Sequence, residues 1–76
     1  MTMVSKVWFD AEGPAYAMPV PAVSAEGAAI AFLCTQEREG VHAVCVQHSE
    51  RVDFFKMECA WIRPGELRVS RLGGEE

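Results

Sequence analysis

The sequence has no long hydrophobic run. Its longest uninterrupted apolar stretch, residues 28–34, is far shorter than the roughly 20 residues that a membrane-spanning helix needs. Residues 1–6 also lack the basic start and apolar core of a signal peptide. From these absences we expect a small soluble cytoplasmic protein with no membrane partner.

Cysteine is scarce, and the three thiols of Cys34, Cys45 and Cys59 are an odd number. In a chain for which we expect no secretion signal, this indicates a reducing compartment and free thiols. If Cys34 and Cys45 lie on paired strands, a one-residue change in the connecting loop decides whether they face each other. The sequence therefore leaves the pairing and the redox state of the three cysteines open.

Basic residues are outnumbered by acidic ones. The chain has 7 Lys and Arg against 11 Asp and Glu, a formal net charge of -4, which disfavours binding to nucleic-acid phosphates. Most of the basic residues are arginines, which are enriched at protein interfaces, where lysines are depleted. The composition therefore favours a protein partner over a nucleic-acid partner.

Signatures of catalysis and cofactor binding are missing. There is no phosphate-binding glycine loop, no Gly-x-Ser-x-Gly and no spaced carboxylate pair. His42, Cys45 and His48 are residue types that bind zinc, but residues three apart on a strand point to opposite faces. The cysteines lie among apolar neighbours, where a thiol serves as a small hydrophobe rather than as a nucleophile. We expect no catalytic residue, no metal and no cofactor.

What the sequence does contain is the composition of one folded domain, residues 1–76. Half of the residues are apolar and 24% are charged, which is ordinary for a globular protein. Turn signals, three of them Glu-Gly pairs, recur at roughly even intervals, which is typical of successive strands. We expect a mostly β fold, an antiparallel meander of five or six strands curled into a small barrel-like sheet, with residues 73–76 as a flexible tail.

Residues 32–46 organise the chain, and they can be read in two ways. As a hairpin, two β-prone runs flank a charged turn that ends in Gly40. As a helix, residues 25–39 would be capped by Ser24 and stopped by Gly40, and the alanines of this segment favour helix. We adopt the hairpin for the main prediction. The alternative is an α+β fold of one hairpin, one helix and three strands.

Apolar side chains alternate onto both faces of the predicted strands. In the first strand, residues 4–10, Trp8 and Phe9 point to opposite faces. In the long strand of residues 52–62 the odd positions from 55 to 61 are apolar, and the even positions 56 and 58 carry charges. A sheet of this size cannot cover both faces by itself, so it either closes into a barrel or buries one face in a complex.

The second predicted strand, residues 16–20, either lies at an edge of the sheet or ends early. Pro19 and Pro21 have no N–H to donate to a ladder. An edge strand that contains proline is also protected from pairing with other chains.

The clearest turn is Arg-Pro-Gly-Glu at residues 63–66, where proline and glycine specify type II. Pairing across this turn places Trp61 opposite Arg68 and Glu58 opposite Arg71. The first would be a cation–π pair and the second an ion pair.

The function we expect is that of a small non-enzymatic protein–protein interaction module. It would act as an inhibitor or as an accessory or regulatory factor, and phage-encoded factors are included in this class. It would work by binding a partner protein or by self-association, for instance as a homodimer. Tryptophan and arginine are enriched among the residues that dominate binding energy at interfaces. The candidate partner-binding residues are Trp8, Trp61, Arg63, Arg68 and Arg71.

The helix alternative carries a resemblance. With residues 25–39 helical, the order becomes hairpin, helix, strand and late strands followed by Gly73-Gly74, which resembles the ubiquitin-like β-grasp family. The resemblance implies a modifier or sulfur carrier whose di-glycine is activated and joined to a target, once residues 75–76 are removed. A third function class is a nucleic-acid-binding small barrel, in which Trp61 and neighbouring arginines would stack on bases.

Overall fold

The computed structural model describes residues 2–72, which form a curled half-barrel sheet with a helix packed on it. In chain order its elements are β1 (Met3–Phe9), β2 (Met18–Ala22), α1 (Ala25–Gln36), β3 (Gly40–His48), β4 (Arg51–Arg63) and β5 (Glu66–Arg71). Every neighbouring pair of strands is antiparallel, and the order across the sheet is β2-β1-β3-β4-β5. The prediction of a mostly β, antiparallel, curled sheet is confirmed. The strands do not form a simple meander, because β1 lies between β2 and β3. The element order, a hairpin, one helix and three strands, is that of the alternative prediction. The predicted tail, residues 73–76, lies outside the described residues.

The hairpin predicted over residues 32–46 is wrong, because its first half is helical. α1 begins after Ser24, whose hydroxyl accepts a hydrogen bond from the Gly27 N–H at 3.1 Å. It ends before Glu37, whose left-handed backbone, with φ 54, stops the helix. The alternative prediction was right about the cap and placed the stop too late, at Gly40.

The helix is stabilised by the side chains that it buries. Ala28, Ala29, Phe32 and Leu33 are at most 3% exposed. At this spacing they share one face of a helix, whereas on a strand adjacent residues would point to opposite faces. Packing against the sheet therefore selects the helix for a segment whose local signals are compatible with both structures.

The core lies between α1 and one face of the sheet, which we call the helix side. The sheet contributes seven nearly inaccessible side chains to it: Val7, Phe9, Val44, Val46, Phe55, Met57 and Cys59. The opposite face, which α1 does not cover, we call the outer face. Because strand residues alternate, cross-strand partners share one of these two faces.

β2 occupies an edge of the sheet, as predicted, although it begins later than expected. Residues 14–16 form a short 3₁₀ turn, so the strand is Met18–Ala22 rather than residues 16–20. Pro14 starts that turn, a position where its missing N–H leaves no bond unmade.

The hairpin of β4 and β5 has the predicted turn but not the predicted register. Gly65 has the positive φ, 85, that a type II turn requires. A β-bulge after Trp61 shifts the pairing by one residue, so that Trp61 lies opposite Leu67 and Arg68 lies opposite Ala60. A type II turn does not match the twist of hairpin strands, and a bulge accommodates the mismatch with an extra residue. The predicted Trp61–Arg68 pair is therefore not formed.

Arg71 also has other neighbours than the predicted Glu58. It lies opposite Met57, and its guanidinium carbon is 5.0 Å from the centroid of the Phe55 ring. Its Nη1 atom is 3.3 Å from Oε1 of Glu26. Arg71 therefore connects β5 to α1 instead of linking two strands.

Candidate functional site

An apolar row crosses three strands at the centre of the outer face. Trp8 on β1 pairs with Cys45 on β3, which pairs with Phe54 on β4. Phe54 is 59% exposed, and so is Val52, the preceding residue on the same face of β4. We call Trp8, Cys45, Val52 and Phe54 the outer-face patch. It is a contiguous apolar area on a face that α1 leaves open.

Trp8 forms the base of the outer-face patch rather than its exposed part. It is only 8% exposed although it points away from the core. Its neighbour Phe9 packs in the core against Phe32, with ring centroids 5.1 Å apart, so the two residues point to opposite faces as the sequence predicted. A side chain that is already buried has little surface left to offer, so Phe54 and Val52 supply most of the contact area.

Charged side chains surround the outer-face patch. Lys6 precedes Trp8 by two residues on β1, and Lys56 follows Phe54 by two residues on β4, so both lysines of the chain lie on the outer face. Glu58 is the next residue of β4 on the same face. An apolar centre with a polar rim is the usual anatomy of a protein–protein interface.

Cys45 is placed as a packing residue rather than as a nucleophile. Its thiol sulfur lies 3.5 Å from Oδ1 of Asp10. Burial, then the hydrogen bond to Asp10 and the charge of that carboxylate, raise the pKa of the Cys45 thiol above its ordinary value. A raised pKa keeps the sulfur protonated, and the thiolate rather than the thiol is the nucleophile.

The other thiols lie in different surroundings. Cys34 is exposed on α1, Cys59 is buried in the core, and all three cysteines are free. Burial, followed by the nearby Cys34, raises the pKa of the Cys59 thiol. The structure therefore separates the chain's cysteines into one exposed thiol and two thiols whose pKa is raised by burial.

The two histidines are on the helix side, away from Cys45. His42 Nε2 is 3.1 Å from the carbonyl oxygen of Arg38 and must donate, because a carbonyl only accepts. His48 Nδ1 shares a hydrogen bond with the hydroxyl of Ser5. Ser5 is fully buried, so its hydroxyl cannot reach a substrate. Within residues 2–72, no three His, Cys, Asp or Glu side chains come close enough together to hold a metal ion.

The five predicted partner-binding residues do not form one surface. Trp8 and Arg68 are on the outer face, whereas Trp61 and Arg71 are on the helix side. Arg63 is at the β4–β5 turn, where it forms an ion pair at 2.8 Å. Trp61 is 40% exposed, but the sheet separates it from Arg68. The nucleic-acid alternative placed Trp61 beside several arginines, and Arg68 does not share its face.

Phe54 and Val52 were not among the predicted partner-binding residues. The signal was present, because both lie at even positions of β4, in phase with the charged residues Lys56 and Glu58. Apolar residues in phase with the charged face of a strand are exposed unless a second layer covers them.

A concavity lies between α1 and the edge strand β2. Its volume is about 310 Å³, and it is lined by Met18, Pro19, Val20, Pro21, Ala31, Phe32 and Thr35. None of these side chains titrates near neutral pH. The groove is therefore a mainly apolar surface feature, whose one hydroxyl, that of Thr35, donates to the carbonyl oxygen of Phe32.

Comparison with other proteins leaves the surface as the basis for inferring function. No helix in the described part of the chain is both long enough and apolar enough to cross a membrane. The chain matches no protein family, no curated protein and no solved structure.

Proposed function

We propose that this chain is a non-enzymatic protein-interaction domain that binds through the outer-face patch. One observation supports this most directly: α1 covers one face of the sheet, while the other carries Phe54 and Val52, each 59% exposed, above the buried Trp8. The free energy falls when a partner covers apolar groups that are exposed side by side to water. A contiguous apolar patch with a polar rim is a mark of an interaction site.

The gain from covering the patch is large enough to matter. Full burial of a Val or Phe side chain is worth about 1.5–3 kcal/mol relative to exposure. Phe54 and Val52 have more than half of their surface still exposed, so together they offer about 2–3 kcal/mol. That corresponds to a factor of about 30–160 in affinity.

Contact rather than chemistry is what this surface offers. The Cys45 thiol is kept protonated by its raised pKa, and the remaining patch residues are apolar. A domain of 8.4 kDa with such a surface acts by occupying a partner's surface. Inhibitors, accessory factors and self-associating domains all work in this way.

Phe54→Asp tests the proposal, with Val23→Asp as the matched control. Val23 is 70% exposed but lies between β2 and α1, away from the patch. The wild type and both variants are used as bait to capture proteins from cell extract, and the affinity of each recovered partner is then measured. We expect Phe54→Asp to lose partners that the wild type and Val23→Asp both retain.

Retention of the same partners at the same affinity by Phe54→Asp would show that the patch is not the binding site. If the partner is the chain itself, sedimentation velocity of the three proteins gives the same comparison. Both positions are exposed, so both variants should unfold at the temperature of the wild type. A thermal melt checks this before binding is measured.

The modifier alternative stays a prediction, because Gly73 and Gly74 lie outside the described residues. Deleting residues 73–76 separates the two functions. The deletion would abolish a modifier and leave a binding domain intact.

A further inference from the structure

The two edges of the sheet differ in what they offer to another strand. On β2, Pro19 lies opposite Lys6 and Pro21 lies opposite Val4. The Asp10 N–H donates to β3, so by alternation the backbone groups of Lys6 and Val4 also face β3, and those of the two prolines opposite them point away from β1. Proline has no N–H to offer at these positions. The outer edge of β2 therefore presents carbonyl groups without the N–H donors that an added strand needs.

The outer edge of β5 has no such block. The N–H of Leu72 donates to the carbonyl oxygen of Lys56 on β4 at 2.8 Å. Because backbone direction alternates along a strand, the N–H and C=O groups of Leu67, Val69 and Arg71 point away from the sheet. No proline or bulge interrupts β5 itself.

We propose that β5 is a self-complementary edge at which a second copy of this chain adds its own β5, antiparallel, with Val69 on the two-fold axis. In this register Val69 faces the partner's Val69, and Leu67 and Arg71 face each other across the junction. These outward-pointing residues would exchange about six N–H···O bonds. The two sheets would become one continuous ten-stranded sheet.

The side chains on the helix side favour this register. Val69 lies opposite the buried Cys59 on β4 and packs against the core. Across the two-fold axis the row would read Cys59, Val69, the partner's Val69 and the partner's Cys59. An apolar row that crosses the junction without interruption extends the core of each copy into the other.

Charge complementarity on the outer face favours a second copy of this chain over an unrelated strand. Arg68 would face the partner's Ser70, and Ser70 lies opposite Glu58 on β4. Two strand spacings, about 9–10 Å, then separate Arg68 from the partner's Glu58, with only a small serine between them. Both side chains are exposed, and among residues 2–72 neither forms an ion pair within its own chain.

The symmetry makes this contact occur twice, and no like charges face each other directly in the register. The pairing does not depend on the outer-face patch. If the chain both pairs through β5 and binds a partner through the outer-face patch, the two outer faces adjoin, and the dimer presents two patches on one side of the combined sheet.

Sedimentation equilibrium of the full chain tests the proposal. We expect a species of twice the 8.4 kDa chain mass. Arg68→Glu and Glu58→Arg should each raise the dimer dissociation constant about tenfold or more, because each places like charges across the junction. The double variant, with both charges exchanged, should recover the affinity of the wild type.

Arg51→Glu is the matched control, since it makes the same charge change at the exposed start of β4, away from β5. It should leave the dimer unchanged. Amide hydrogen exchange gives a second readout: protection of the Val69 N–H should rise with protein concentration, because only the dimer bonds it.

A single species of chain mass at concentrations up to about 1 mM would overturn the proposal. So would a dimer that neither single charge variant weakens, or one that the double exchange fails to restore. A dimer lost in Phe54→Asp but retained in Arg68→Glu would place self-association on the outer-face patch and would also overturn it. A dimer retained in Phe54→Asp supports edge pairing, whatever the outcome for the patch.

Discussion

Truncation of Leu33 is the sharpest test of how α1 packs on the sheet. Leu33 is 0% exposed, while the next residue of the same helix, Cys34, is exposed. Leu33→Ala removes most of a buried side chain and leaves a cavity, which costs about 2.7–5 kcal/mol. Cys34→Ala is the matched control, and a surface change of this kind costs less than about 0.5 kcal/mol.

The expected loss is a large part of the total stability. At about 0.05–0.15 kcal/mol per residue, a chain of 76 residues has a free energy of unfolding of about 4–11 kcal/mol. Its entropy of unfolding is about 0.16 kcal/mol/K, so a loss of 3 kcal/mol lowers Tm by about 19 °C.

Far-UV circular dichroism during thermal and urea unfolding measures both quantities. We expect Leu33→Ala to melt about 17–31 °C below the wild type, and Cys34→Ala within about 3 °C of it. Equal destabilisation by the two substitutions would refute the orientation of α1, since only one of these neighbours can face the core. The assignment of the helix side and the outer face would then fail as well.

Two further predictions concern the helix cap and the thiols. Ser24→Ala removes the acceptor of the Gly27 N–H and should lower the free energy of unfolding by about 1 kcal/mol in urea titrations, whereas Ser24→Asp should retain most of it. Cys34 is exposed, whereas burial raises the pKa of the Cys45 and Cys59 thiols, so iodoacetamide should modify Cys34 first and the other two only at more alkaline pH than an ordinary thiol requires. The folded state holds these thiol protons more tightly than the unfolded state, so stability should also fall as pH rises above 9.0, the ordinary thiol pKa, toward the raised pKa values of the folded state. Equal labelling of the three cysteines in a peptide map would contradict the raised pKa values.

The candidate site was only partly predictable. Alternation along β1 was enough to place Trp8 and Phe9 on opposite faces, because that depends on the strand alone. The near-complete burial of Trp8 and the exposure of Phe54 depend on which elements lie over each face. Arg68 and Trp61 were paired in the prediction, and a single bulged residue moved them to opposite sides of the sheet.

The sequence by itself determined the local punctuation of this protein. Ser24 as a helix cap, the prolines of the β2 edge and the glycine of the last turn each act through one hydrogen bond, one missing donor or one positive φ. Such effects need no more than about four consecutive residues.

Only the tertiary structure decided that residues 25–36 are a helix and that one face of the sheet stays open. A helix of this length is marginal in water by itself, so it forms because Phe32 and Leu33 are buried against strands distant in sequence. Once α1 covers one face, the alternation of every strand assigns its other side chains to the outer face. The position of the β4–β5 bulge was likewise not local, since it reconciles the turn with the twist of the whole sheet.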